Sequence, residues 1–184
     1  MLSRRRNRGR AHLPQVVRVL PLARWHTCRV EEPDWPTLVA LDDGVKPQPA
    51  ASEAAISDCE SALGATMPSD LRALFRYSDG LWDDPGQWFV VWPLVDVLAR
   101  NQAAYESEVP GRRGWIGFGD DGTGNPFCFN RLGGDDVHYW SGTEGWATPL
   151  ADRASSFWTR WSPTRFRVTD HSRSNYRTCR RQCA

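Results

Sequence analysis

The sequence predicts an α+β fold: a twisted antiparallel sheet of about four to six strands with helices packed on it. Three stretches carry that prediction. The first is Trp115–Asn130, W-I-G-F-G-D-D-G-T-G-N-P-F-C-F-N, in which an apolar strand enters a turn with Gly119, Gly122 and Gly124 and a second apolar run leaves it. The second is Ser52–Gly80, where apolar residues recur at helical spacing on both sides of a Gly–Pro turn. The third is the order helix–helix–strand–helix followed by a run of strands and a last helix, which implies an antiparallel sheet with helices laid on it.

Taken in order, Asp34-Trp35-Pro36 with Leu38, Val39 and Leu41 predicts a short helix with proline in its first turn, stopped by Asp42-Asp43-Gly44. Val45–Ala51, with Pro47 and Pro49, reads as an extended linker. Ser52 is a candidate N-cap for a helix whose Ile56, Cys59 and Leu63 share one face, and Gly64 ends it. Leu71, Leu74 and Phe75 define the next helix, with Gly80 as its far cap. Leu81–Gly86 reads as a loop holding Trp82, Asp83 and Asp84, and Trp88–Trp92 as a strand. Pro93 opens a helix with Leu94, Leu98 and Tyr105 on one face, and Val109–Gly114 is a loop. After the central hairpin, Val137–Trp140 makes a further strand, with Gly145–Thr148 as a candidate fourth. A last helix is expected from Thr148-Pro149, with Leu150, Ala154, Phe157, Trp158 and Trp161 as its apolar stripe and Pro163 as its stop.

At 184 residues the chain is long enough for one domain with a real core plus extensions. The formal net charge of +1 conceals an uneven distribution. Residues 1–30 hold eight arginines and no acid, and residues 165–184 hold six arginines against Asp170. Between them, residues 31–164 carry 9 basic and 21 acidic side chains, a balance of −12. The chain therefore divides into a basic N-terminal extension (1–30), a globular body (31–164) and an Arg-rich C-terminal tail (165–184), with both ends expected to be disordered. The acidic body is expected to repel nucleic acid and attract basic protein surfaces.

Several kinds of chemistry are disfavoured. Gly117, Gly119 and Gly122 satisfy G-x-G-x-x-G, but a dinucleotide site needs a helix N-terminus next, and Pro126–Phe129 is strand. Asp120 and Asp121 would also repel phosphate. The alternating carboxylates of a calcium loop are missing. Cys179 and Cys183 form one imperfect pair where zinc wants two, and the remaining cysteines (Cys28, Cys59, Cys128) are scattered, so no metal or cofactor is expected. No nucleophile stands beside a base around the central turn, and His138 reads as a satisfied structural histidine. The apolar stretch Leu13–Leu22 is broken by Pro14, Arg18 and Pro21, so no signal peptide or bilayer span is expected and the location is cytoplasmic.

E-x-x-L-G-x-x-x-P-x-D-L-R-x-L-F, here Glu60–Phe75, resembles the opening motif of the SUKH superfamily. Asp79-Gly80 stands where that family usually has a polar residue and glycine. Ile116–Phe129 resembles its central hairpin, Val137–Trp140 the strand that follows, and Ala151–Trp161 its final helix. The resemblance is ordered along residues 34–163, and Asn125 stands where an aspartate is common. It implies a single α+β domain with a highly twisted sheet and no catalytic residues. It further implies a bacterial immunity protein that binds a cognate toxin, often a nuclease or deaminase. The alternative is a general interaction or regulatory module of the same fold, as in yeast cell-wall regulators.

The candidate partner-binding surface follows from charge and exposure. Asp120 and Asp121 would supply charge at the hairpin tip and Asn125 hydrogen bonds, with Trp82, Asp83 and Asp84 as a neighbouring contact edge. The bland reading of such aspartates is that they simply favour turn geometry.

Overall fold

A computed structural model describes residues 32–107 and 109–161. The expectations for residues 1–30 and 165–184, including Cys28, Cys179 and Cys183, lie outside these. Among these residues five α-helices and seven strands follow in order, with a 3-10 turn (Arg112–Gly114) ahead of β4: α1 (Trp35–Ala40), β1 (Val45–Pro47), α2 (Glu53–Leu63), α3 (Ser69–Tyr77), β2 (Leu81–Asp83), β3 (Trp88–Val91), α4 (Leu94–Glu106), β4 (Trp115–Asp120), β5 (Pro126–Asn130), β6 (Val137–Ser141), β7 (Trp146–Ala151) and α5 (Ala154–Arg160). The strands form one sheet in sequence order, every neighbouring pair antiparallel. This is the α+β architecture expected, with seven strands where four to six were anticipated.

The helix starts follow local chemistry. Asp34 accepts from the Thr37 amide at the head of α1, and Ser52 Oγ accepts from Ala55 N at 3.1 Å to cap α2. Gly64, at φ 63°, closes α2 in the left-handed conformation. Glu60 then fastens the corner: its Oε1 accepts from Met67 N at 2.8 Å and its Oε2 pairs with Arg72 of α3. Asp70, 3% exposed, accepts from Ser155 Oγ at 2.6 Å and so ties α3 to α5.

Alternation divides the sheet's side chains between two faces. Phe118, Phe127 and Phe129 point into the main core, where Phe157 of α5 lies 4.7 Å from Phe127 and edge-on to Phe118 at 6.3 Å. Pro126, Cys128 and Trp140 occupy the other face, Trp140 covered by the loop around Gly111. Between β3 and β4 the sheet nearly parts. Its only registered pair there is Val91 with Gly119, supplemented by Trp92 N donating to Phe118 O at 2.9 Å. A side chain at Gly119 would put Cβ 2.0 Å from the Val90 carbonyl oxygen, so only glycine permits this approach. Helix α4 closes the gap with Asn101, which is fully buried. Its amide donates to Gly117 O at 2.7 Å and to Val97 O, and its oxygen accepts from Gly117 N at 2.8 Å.

Four local expectations are corrected. Residues 45–47 pair as an edge strand, where the missing N–H of Pro47 is tolerated. Leu81–Asp83 is strand, not loop, with Leu81 and Asp83 facing inward. Gly80 is not the cap of α3: Ser78 ends that helix in extended conformation, and Gly80 lies against the backbone of Val91 and Pro93. Thr148 and Pro149 do not begin the last helix but continue β7 along an edge, and α5 starts at Ala154.

Two outcomes test this packing. Asn101→Ala removes the partners of two buried backbone groups and should cost about 2–3 kcal/mol. Urea unfolding should show a lower midpoint at unchanged slope; a loss under about 0.5 kcal/mol would show that the gap closes without Asn101. Burial pushes the thiol of Cys59 up to about 11, aided by Glu60 and Asp79, and that of Cys128 up to about 12 against the opposing pull of Arg112. Because the native thiols hold their protons beyond the ordinary value of 9.0, stability should decline as pH climbs past 9 toward those raised values. Peptide mapping after alkylation near pH 8.5 should find both residues unmodified in the native protein and modified in denaturant.

Candidate functional site

In this meander the β2–β3, β4–β5 and β6–β7 turns fall at one end of the sheet, since alternate connections reverse direction. Side chains hold the three turns together. Gly122, at φ 79°, lies over the indole of Trp88, where a Cβ would come within 3.1 Å of the ring. Asn125 Oδ1 accepts from Gly142 N at 3.2 Å, and its amide donates to Thr123 Oγ1 at 3.0 Å. The loop before β1 joins the same end through Asp84 N donating to Gly44 O at 2.9 Å.

The six residues expected at a contact surface divide by burial. Asp84 is exposed, Asp121 and Asn125 are half-buried, and Trp82 is half-buried on β2 with its ring edge-to-face on Phe89 at 4.9 Å. Asp83 and Asp120 are inside, at 1% and 7% exposure. Asp83 Oδ2 accepts from Gly86 N at 3.0 Å and shapes its own turn. Asp120 Oδ2 accepts from Trp92 Nε1 at 3.0 Å and Oδ1 from Gly122 N at 2.7 Å. These two carboxylates therefore build the turns from within, and Trp82 is a packed strand residue, not a loop anchor. Asp121 is shared between roles: it accepts from Thr123 N and from Tyr139 Oη at 2.9 Å yet remains partly open to solvent. Exposed acids that the turn spacing did not single out, Asp43 and Glu144, stand on the same end.

His138 packs its ring against Trp115 at 4.5 Å, but its buried Nδ1 has no hydrogen-bond partner among the described residues, so the expected satisfied histidine is not found. The indole Nε1 of Trp88 is likewise buried and unpartnered among them. No group of three or more His, Cys, Asp or Glu side chains is placed to hold a metal among the described residues. Nor is any described helix long and apolar enough to cross a membrane.

Beside the turns, a groove of about 260 Å³ opens between α4 and the sheet, walled by Trp92, Trp140 and Pro126 and carrying Arg100 and Arg112. The Arg100 guanidinium stacks over Trp92 at 4.8 Å from the ring centroid and lies 3.6 Å from Asp120 Oδ2. Arg112 is only 4% exposed; it donates to Trp115 O and, at 3.1 Å, to Asn101 Oδ1. Burial holds its guanidinium below its ordinary value. The reading from sequence missed both arginines, although bases are scarce in the 31–164 segment and Arg112-Arg113 is the one adjacent pair there.

No curated protein matches the chain significantly. The model of the SMI1 / KNR4 family (SUKH-1) matches residues 50–159, from the lead into α2 to the end of α5. That span takes in Glu60–Phe75, the central hairpin and the strands after it, and it exceeds half of the chain; the protein therefore belongs to the SMI1 / KNR4 family (SUKH-1).

Proposed function

We propose that this protein is an immunity protein that neutralises a cognate toxin domain by stoichiometric binding, without turnover. The observation that carries the reading is the convergence of three exposed acids, Asp43, Asp84 and Glu144, and the half-buried Asp121 on the end of the sheet where three turns meet. A basic toxin cleft, such as that of a nuclease or deaminase, is complementary to such an end, and the charge would speed encounter and fix register. Family membership supports the reading, because the resemblance of the central hairpin implies that role for bacterial members. The same −12 balance of residues 31–164 disfavours nucleic acid as a direct partner of the domain and makes a basic protein the better match. The protein would then act in the cytoplasm, where a toxin must be stopped before it reaches its target.

The test is a titration of the toxin domain encoded beside the gene against the purified chain. Activity should fall linearly and vanish at an equimolar ratio; undiminished activity in excess chain would reject the immunity reading and favour the regulatory module.

Asp84→Asn combined with Glu144→Gln leaves the buried carboxylates untouched. It should weaken toxin binding roughly three- to ten-fold at low salt, mostly through the association rate. At about 1 M salt, where the screening length is about 3 Å, the difference should nearly disappear. Equal affinities for variant and native protein at low salt would remove this end from the interface.

A further inference from the structure

The groove between α4 and the sheet has the wrong sign for its surroundings. Its lining carries two guanidiniums and no carboxylate among the described residues, within a segment holding 9 bases and 21 acids. Arg100 is partly neutralised by Asp120, which also serves Trp92 Nε1 and Gly122 N. Arg112 has no such help: its named acceptors are a backbone carbonyl and an amide oxygen, both neutral. A buried guanidinium ordinarily sits against a carboxylate, because desolvating the charge is otherwise uncompensated. Asn101 and the Trp115 carbonyl fix where Arg112 lies and take one donor from each terminal nitrogen, so three of its five N–H donors have no named acceptor among the described residues.

We propose that this groove is a carboxylate-binding site that receives one acidic group, a side chain or a chain terminus, from a partner protein. The volume of about 260 Å³ suits a single such group. Trp92, Trp140 and Pro126 supply apolar walls for the methylenes that carry it and shield the ion pair from water. A polyanion is disfavoured by the neighbouring charge. The rim is formed by Gly124 and Gly142, in the same turns as Asp121 and Glu144, so a nucleic-acid strand reaching Arg112 would run its next phosphates over carboxylates. An isolated carboxylate on an otherwise neutral or basic protein surface meets no such obstacle. The inference is independent of whether the partner is a toxin.

The experiment is a titration of the full chain followed by two-dimensional 1H–15N NMR, reading the indole N–H signals of Trp92 and Trp140 and the amides of Gly124 and Gly142. Four probes are compared: N-acetyl-glutamate N-methylamide, N-acetyl-alanine with a free carboxyl group, N-acetyl-glutamine N-methylamide and inorganic phosphate. The expected result is saturable movement of these signals with one or both carboxylates and none with the glutamine compound. Preference between the two carboxylates assigns the group to a side chain or a chain terminus. Arg100→Gln, at an exposed position, should weaken the carboxylate response roughly three-fold. Arg112→Gln should abolish it; should that variant fail to fold, Arg100→Gln and the glutamate–glutamine comparison decide. Equal response to glutamate and glutamine, a response to phosphate alone, no response to any probe, or indifference to Arg100→Gln would overturn the proposal.

Discussion

The contact between Asn101 and the backbone of Gly117 is the constraint on which the rest of this molecule depends. Strands β1–β3 and β4–β7 are joined through one registered pair, Val91 with Gly119, and such a junction leaves backbone groups of β4 without ladder partners. Buried amide and carbonyl groups must find partners. Asn101 is the rare side chain that offers both a donor and an acceptor in one plane, and it satisfies the N–H and C=O of Gly117 together. Closing the gap in this way leaves neither backbone group of Gly117 unpartnered. It also fixes α4, and with it Arg100, beside the start of β5. The same oxygen accepts from Arg112, so one amide determines both the continuity of the sheet and the position of the buried cation.

At the other side of the core, the Glu60–Phe75 motif has a physical explanation residue by residue. Glu60 bonds the Met67 amide and Arg72, which holds α2 and α3 at their angle. Arg72 and Arg76 extend this to Glu53, although those outer pairs are solvent-exposed and contribute little. Asp70 faces inward, accepting from Ser155 while its own carbonyl accepts from the indole of Trp35 at 3.0 Å. The motif is thus a device for docking four helices, α1, α2, α3 and α5. It belongs to the fold and says nothing of what the protein binds.

That division explains what was legible in the sequence. Elements whose signal is local were readable: the Ser52 cap, the apolar face of Ile56, Cys59 and Leu63, and the glycine-rich turn between β4 and β5. Elements defined by distant partners were not. Strands β1 and β2 are three residues each and exist because β1 pairs with β2 and β2 with β3, while Pro47 reads locally as linker and Asp83 as loop. Thr148-Pro149 looks like a helix start until β6 is present to hold it as an edge strand. The exposure of Asp83 and Asp120 was misread for the same reason. Asp120 looks like an exposed turn aspartate beside Asp121, but Trp92, 28 residues earlier, draws it inside. Spacing cannot reveal which of two adjacent carboxylates faces the core, and the buried Asp83 beside the exposed Asp84 repeats the ambiguity.

Burial of one member of each pair leaves single carboxylates on the turns, beside a groove that carries two guanidiniums. The exposed carboxylates stand on turns, where water and salt screen them, so their influence is chiefly on encounter and orientation. Arg112 lies in an enclosed place where a charge interacts far more strongly, and there the energetic consequence of a wrong partner is larger. A protein that merely carried the opposite net charge would be attracted to the acidic turns and yet leave the buried guanidinium uncompensated. If the two proposed surfaces act together, discrimination would require both signs at a fixed spacing, set by Asn101 holding Arg112 and by Asp120 holding Trp92 beneath Arg100. Because these supports are buried in the fold itself, exchange of the exposed Asp84 and Glu144 leaves in place the groups that hold the groove's two guanidiniums.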